Sequence, residues 1–220
     1  MDAAAQIPRT RLLSPFTAFR ELRHRLYSRF YERRFGVTTG GWILPKDLDY
    51  TSPHGKPYGA IGYEHIFWAL DRLPFPAAEV EFVDIGAGKG RAMVAAASRP
   101  LRSVMGVELS PALAADAQRN LHAMRGRRAK SVELLIVNAL EFAVPPTANV
   151  FYFFNPFDGP TMVEMVERLR ASFAAHPRKG FVIAFNHKAF DEAATGAGWV
   201  RKVYEGEFYP QFGCGLYEIG

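Results

Sequence analysis

The sequence predicts an α/β protein with a doubly wound, mostly parallel sheet and an N-terminal helical extension. Three observations carry this. From about residue 80 onward, short apolar runs alternate with helix-length segments, the pattern of a parallel sheet covered by helices on both faces. A glycine turn, Gly86-x-Gly88-x-Gly90, joins the first of those runs to the first of those helices. Before the sheet, the chain from Ser14 to Gly36 carries helical periodicity.

In that first segment Phe16, Phe19, Leu22, Leu26 and Phe30, with the adjacent Tyr27 and Tyr31, recur at three- and four-residue steps, and arginines take the other face. Ser14-Pro15 suits its start and Gly36 its end. Its apolar face is expected to cover the main domain, the alternative being a helix for a membrane surface or a partner. Residues 40–62 are rich in Gly, Pro, Tyr and Asp without periodicity and read as a loop. A loop of this length inside a compact protein is either functional or disordered, and its Tyr50, His54 and Tyr58 argue for function. Tyr63 to Leu73 reads as a helix stopped by Pro74 and Pro76. Strands follow near 80–85, 103–108, 132–137, 149–154 and 180–185, and helices near 90–98, 111–124, 160–175 and 188–196. Trp199 to Glu205 and Cys214 to Ile219 are two further strands, joined by a loop containing Pro210. Residues 1–75 thus read as a helical extension with a pocket-covering loop, and 76–220 as the core.

Composition narrows the setting. Of the 220 residues 49% are hydrophobic, enough for a core at this length. No run of apolar residues is long enough to cross a membrane, and no basic-then-apolar leader is visible. Cys214 is the only cysteine, so an intrachain disulfide is excluded and a reducing cytoplasm is the expected location. The net charge of +5 is unevenly spread: eight arginines lie between Arg9 and Arg34 against Glu21 and Glu32, and Arg125, Arg127, Arg128 and Lys130 form a second cluster. Such patches attract nucleic acid, acidic proteins or anionic lipid, although a solvated helix face is the plainer reading, so nucleic acid is left open without being favoured.

The run Phe82-Val83-Asp84-Ile85-Gly86-Ala87-Gly88-Lys89-Gly90-Arg91 is the centre of the functional reading. A glycine turn between strand and helix lets a ligand approach bare backbone and presents helix N–H groups to it. The third glycine comes one residue too early for the dinucleotide fingerprint. A phosphate loop fails because Gly90 stands where Ser or Thr is needed and Val83 where the first glycine is needed. About twenty residues later the apolar run Val104 to Val107 ends in Glu108, the position from which an acid accepts ribose hydroxyls in nucleotide-binding α/β folds.

Asp84 to Arg91, followed by Gly106-Val107-Glu108-Leu109-Ser110, resembles the first two motifs of class I S-adenosylmethionine-dependent methyltransferases. It is most similar to a bacterial group distantly related to the non-SET histone-lysine methyltransferases. The resemblance spans roughly Tyr58 to Tyr204 and implies a seven-stranded Rossmann-like sheet whose last two strands form a hairpin. It implies S-adenosyl-L-methionine as cofactor, with Gly86, Gly88 and Gly90 at its turn, Asp84 toward its ammonium and Glu108 on its ribose. The place after the third strand, usually an acid facing the adenine amino group, is here Asn138-Ala139, whose amide oxygen accepts the same bond. Tyr58 is expected to line the same pocket, ahead of Tyr63 and Glu64.

After the fourth strand, Asn155-Pro156-Phe157-Asp158 resembles the Asn/Asp-Pro-Pro-Tyr/Phe signature of amino-group methyltransferases, with the second proline missing. Methyl transfer needs a nucleophile aligned about 3 Å behind the methyl group. Asn155 is expected to orient an amine, Pro156 to stiffen the turn and Phe157 to pack against the nucleophile or the cationic centre. His54, His65 and His187 lack metal-ligand spacing, so no metal is expected. His187, after the fifth strand, is the histidine within reach of a base role at the crevice. The sequence reading is therefore a cytoplasmic methyltransferase acting on a nitrogen of a small molecule or a peptide or protein side chain. The alternatives are O-methylation, a methyltransferase fold that only binds, and an NAD-dependent oxidoreductase.

Overall fold

The computed structural model describes residues 15–44, 47–48, 56–157, 159–194, 198–209 and 212–220. Ser14, Tyr50, His54, Asp158 and Pro210 lie outside them, as do the side chains of Phe16 and Phe19. Helices α1 (Pro15–Phe35) and α2 (Tyr63–Leu70) precede the sheet. Then follow β1 (Glu81–Ile85), α3 (Arg91–Ala97), β2 (Ser103–Glu108), α4 (Pro111–Ala123), β3 (Ser131–Ile136), β4 (Val150–Phe154), α5 (Gly159–Ala175), β5 (Gly180–Phe185) and α6 (Lys188–Ala194), strand and helix alternating except between β3 and β4. The strands β6 (Val200–Tyr209) and β7 (Phe212–Ile219) close the chain.

The seven strands stand in the order β3-β2-β1-β4-β5-β7-β6. The first five pair in parallel, and β7 runs antiparallel between β5 and β6. Strand alternation feeds two cores. Phe82, Val150, Tyr152, Phe181, Ile183 and Leu216 face α2 and α3 on one side. Val83, Ile85, Phe151, Phe153, Val182 and Tyr217 face α5 and α6 on the other. Near-continuous apolar strands such as Val150-Phe151-Tyr152-Phe153 are what burial on both faces demands. Strand β6 is longer than expected: it runs on through Gly206 to Tyr209, with register shifts that let it follow β7.

Helix α1 has the expected bounds, and Gly36 ends it at φ +72°. Its packing face is not the expected one. Leu22, Leu26, Tyr27 and Phe30 are all exposed, whereas His24, Tyr31 and Phe35 turn inward. Tyr31 and Phe35 meet the rings of Tyr63 and Phe67 on α2. The inward face is partly polar because it meets polar partners: His24 bonds Glu64, and Ser28 and Glu32 receive the Arg91 guanidinium. Paired polar groups tolerate that burial.

Candidate functional site

The order of the sheet reverses between β1 and β4, and at such a switch point the carboxyl ends of the strands open a crevice. The glycine turn lies on its floor. Gly86 and Gly88 take φ +82° and +55°, the left-handed region that a side chain disfavours. The N–H groups of Gly86 and Ala87 both donate to the Val107 carbonyl at 2.9 Å, which pins the turn to the end of β2. A Cβ on Gly88 would lie 2.3 Å from Tyr58 Cε2, and one on Gly86 2.7 Å from Pro156 Cβ. The two glycines thus admit a tyrosine from the N-terminal segment and the proline after β4. Gly90 sits behind the turn as the N-cap of α3, against Ala117 of α4, and does not line the crevice.

A cavity of about 270 Å³ fills this crevice. It brings together Tyr58, Asp84, Gly86, Gly88, Glu108, Asn138, Ala139, Asn155, Pro156 and Phe157 from segments far apart in the chain. Glu108 is buried, and its two carboxylate oxygens each accept one backbone N–H, from Gly88 at 2.7 Å and from Ser110 at 2.8 Å. A carboxylate oxygen has further acceptor capacity, so two vicinal hydroxyls are a chemically matched guest. Asp84 lies beside Gly106 and Tyr152 in the sheet register. Burial, and then the neighbouring Glu108 charge, push its carboxyl up to about 8, against an opposing backbone N–H from Met93. A buried acid of this kind favours a cationic guest, which restores its ionised form. Two carboxylates beside a glycine cradle therefore fit a nucleoside carrying a cationic tail.

Asn138 accepts the Leu140 N–H at 3.0 Å, which fixes the turn after β3 and leaves its oxygen one lone pair for a second donor. Asn155 holds φ +48°, a conformation Asn tolerates better than most side chains, and so turns the chain sharply after β4. The chain then places Pro156 on the glycine turn and Phe157 in the cavity wall. Tyr152 and Phe154, alternate residues of β4, and Ile61 and Ile66 near α2 complete the apolar wall. Their period-two and helical placement was the available signal, but it does not separate a wall residue from a core residue.

Arg91, the first residue of α3, is buried and binds the N-terminal segment to the glycine turn. Its Nε donates to Thr39 Oγ1 at 2.8 Å, Nη1 to the Ile61 carbonyl at 2.9 Å and to Ser28 Oγ at 3.3 Å, and Nη2 to Glu32 Oε1 at 3.1 Å. The guanidinium also sits 4.9 Å over the Tyr63 ring. Thr39, fully buried, accepts the Tyr58 hydroxyl on its carbonyl at 2.7 Å. Burial holds that phenol far above its usual range, so it remains a donor. Asn120 of α4 makes a second tie, exchanging two bonds with the Thr38 backbone and donating to the Lys89 carbonyl at 2.9 Å. Tyr58 is thereby held over Gly88 from both sides of the turn.

Two side-chain clusters lie apart from the cavity lining. His187 follows β5 but pairs with Glu205 at 3.2 Å and Asp191 at 3.5 Å, next to Lys202 and the Tyr217 hydroxyl. His187 is thus turned to this cluster and does not line the crevice. His24, Glu64 and His65 meet between α1 and α2. Each group is completed by a residue distant in the chain: His24 lies 40 residues before Glu64, and Glu205 lies 18 after His187.

No protein-family model matches this chain, and no curated protein sequence does. Solved structures match. The ribosomal protein L11 methylase of Lactobacillus delbrueckii subsp. bulgaricus superposes with a TM-score of 0.57 at 13% identity, over 74% of this chain and 80% of that one. A methyltransferase of Leishmania major, described as S-adenosylmethionine-dependent, gives 0.53 at 16% identity over 72% and 71%. The magnesium protoporphyrin IX methyltransferase of Synechocystis, determined with bound S-adenosylhomocysteine, gives 0.52 at 10% identity over 71% and 80%. With the sheet order and the glycine turn already described, these likenesses establish that the chain has the fold of the class I S-adenosylmethionine-dependent methyltransferases.

Proposed function

We propose that this protein is an S-adenosylmethionine-dependent methyltransferase acting on a nitrogen of a small molecule or of a peptide or protein side chain. The observation that carries this reading is the convergence, in one cavity, of the glycine turn, Glu108 and the Asn155-Pro156-Phe157 turn. When bound, S-adenosylmethionine supplies an electrophilic methyl group on a sulfonium centre. The role of Glu108 is to accept the ribose hydroxyls, that of Asp84 to face the ammonium of the amino-acid tail, and that of Asn138 and Ala139 to meet the adenine. Tyr58 closes the cavity over the glycine turn.

The acceptor side is the Asn155 turn and its aromatic wall. The Asn155 carbonyl oxygen orients the hydrogens of an amine so that its lone pair lies in line with the methyl group. Phe157 and Phe154 exclude water and favour the neutral amine over its ammonium, because desolvation opposes the charge. An amine loses its proton to solvent before transfer, whereas an alcohol needs a base beside it. Among the described residues lining the cavity there is no histidine, and the carboxylates Asp84 and Glu108 sit at the cofactor end. That distribution favours nitrogen over oxygen.

Titration calorimetry with S-adenosylmethionine and S-adenosylhomocysteine tests the reading. One saturable site for each is expected. Absence of heat for both at millimolar ligand would overturn it.

A further inference from the structure

The outward face of α1 has no role in the site. Leu22, Leu26 and Phe30 follow one another at four-residue steps and are 54%, 56% and 54% exposed. At the helical repeat these three cover an arc of about 80°, so they form one continuous ridge. Arg25, Arg29 and Arg33 make the parallel row on one side, Arg23 and Tyr27 the row on the other, and Arg34 ends the ridge, all of them exposed. From Leu22 to Phe35 the only acid is Glu32, and it is turned inward onto Arg91. The exposed face therefore combines an apolar ridge with the arginines Arg23, Arg29, Arg33 and Arg34.

We propose that this face docks on an anionic lipid bilayer, with α1 lying parallel to the membrane plane. A bilayer surface matches both halves of the pattern. Its acyl boundary takes the Leu22-Leu26-Phe30 ridge, and its anionic headgroups take the arginines, whose long stems reach outward from a buried ridge. Nucleic acid would satisfy the arginines and leave the ridge without an apolar counterpart. A second copy of the chain would set arginine against arginine. Among the described residues no helix is long and apolar enough to cross a membrane, so the contact is peripheral.

The test uses the full chain and co-sedimentation with vesicles of phosphatidylcholine, alone or mixed with phosphatidylglycerol. Binding to the mixed vesicles should be stronger by about tenfold or more and should weaken with salt. The double variant Leu26→Glu, Phe30→Glu should lose about tenfold or more of that binding, as should Arg29→Glu, Arg33→Glu. Melting temperatures should not change, because all four side chains are exposed. Equal binding to neutral vesicles, no binding to either, or full binding by the Leu26→Glu, Phe30→Glu variant would overturn the proposal. So would a dimer of the unmodified protein that this variant dissolves, or duplex DNA binding that survives it. None of these outcomes depends on methyl transfer.

Discussion

Gly88→Ala is the substitution whose effect the structure specifies most closely. The new methyl group meets two separate costs. The first is conformational, since alanine at φ +55° sits in a region costing about 1–2 kcal/mol. The second is steric. The Cβ would stand 2.3 Å from Tyr58 Cε2 and 2.7 Å from Cδ2, far inside contact distance and against a ring whose hydroxyl is tied to Thr39. Displacing such a ring costs about 1–3 kcal/mol. The sum is roughly 2–5 kcal/mol. In a Tyr58→Ala background the ring is gone and the steric part vanishes, so Gly88→Ala should then cost only about 1–2 kcal/mol. Equilibrium urea unfolding of the four members of this cycle measures the difference. Equal cost of Gly88→Ala in both backgrounds would refute the argument that Tyr58 rests on the glycine turn.

Other consequences follow from the same geometry. Arg91→Lys keeps the charge but not the planar fork, so it should destabilise the protein by about 2 kcal/mol, and the loss should shrink in a Glu32→Gln background. Asp84 holds a proton in the folded protein up to about pH 8, against about 4 when unfolded. Its contribution to ligand-free stability is therefore full below the unfolded value and is lost as pH rises through the folded one; Asp84→Asn should flatten that slope in thermal melts taken across this range. On the proposed function, cofactor binding at neutral pH should release a proton from Asp84, seen as a dependence of the binding heat on buffer ionisation enthalpy and absent in Asp84→Asn. Asn155→Ala should lower turnover by about tenfold or more with little change in cofactor affinity; an unchanged rate would remove Asn155 from the acceptor site.

What was legible in the sequence was local. The run from Phe82 to Arg91 encodes strand, turn and helix within ten residues, and the turn lies at the carboxyl end of β1 because glycine alone takes those dihedrals cheaply. Glu108 was legible because the distance from one strand end to the next in a βαβ unit is narrow. What was hidden was held by partners distant in the chain. The outward ridge of α1 looked like its packing face because apolar periodicity is the usual mark of burial. Its true inward face carries His24, Ser28 and Glu32, whose partners Glu64 and Arg91 lie 40 and 59 to 63 residues away. Arg91 read as the end of a glycine motif, yet its guanidinium ties Ser28 and Glu32 of α1 to Thr39, Ile61 and the Tyr63 ring of α2. His187 followed a strand end facing the crevice but is drawn to the β6–β7 hairpin by Glu205 and its neighbours.

The proposed methyl-donor site is the crevice between β1 and β4. A crystal structure of the protein with S-adenosylhomocysteine tests it most directly. The expected result is ligand density across the carboxyl ends of β1 and β2, with ribose hydroxyls on Glu108 and the sulfur facing Asn155. Density elsewhere on the protein, or a ligand in the crevice that leaves Glu108 without a ribose contact, would contradict it.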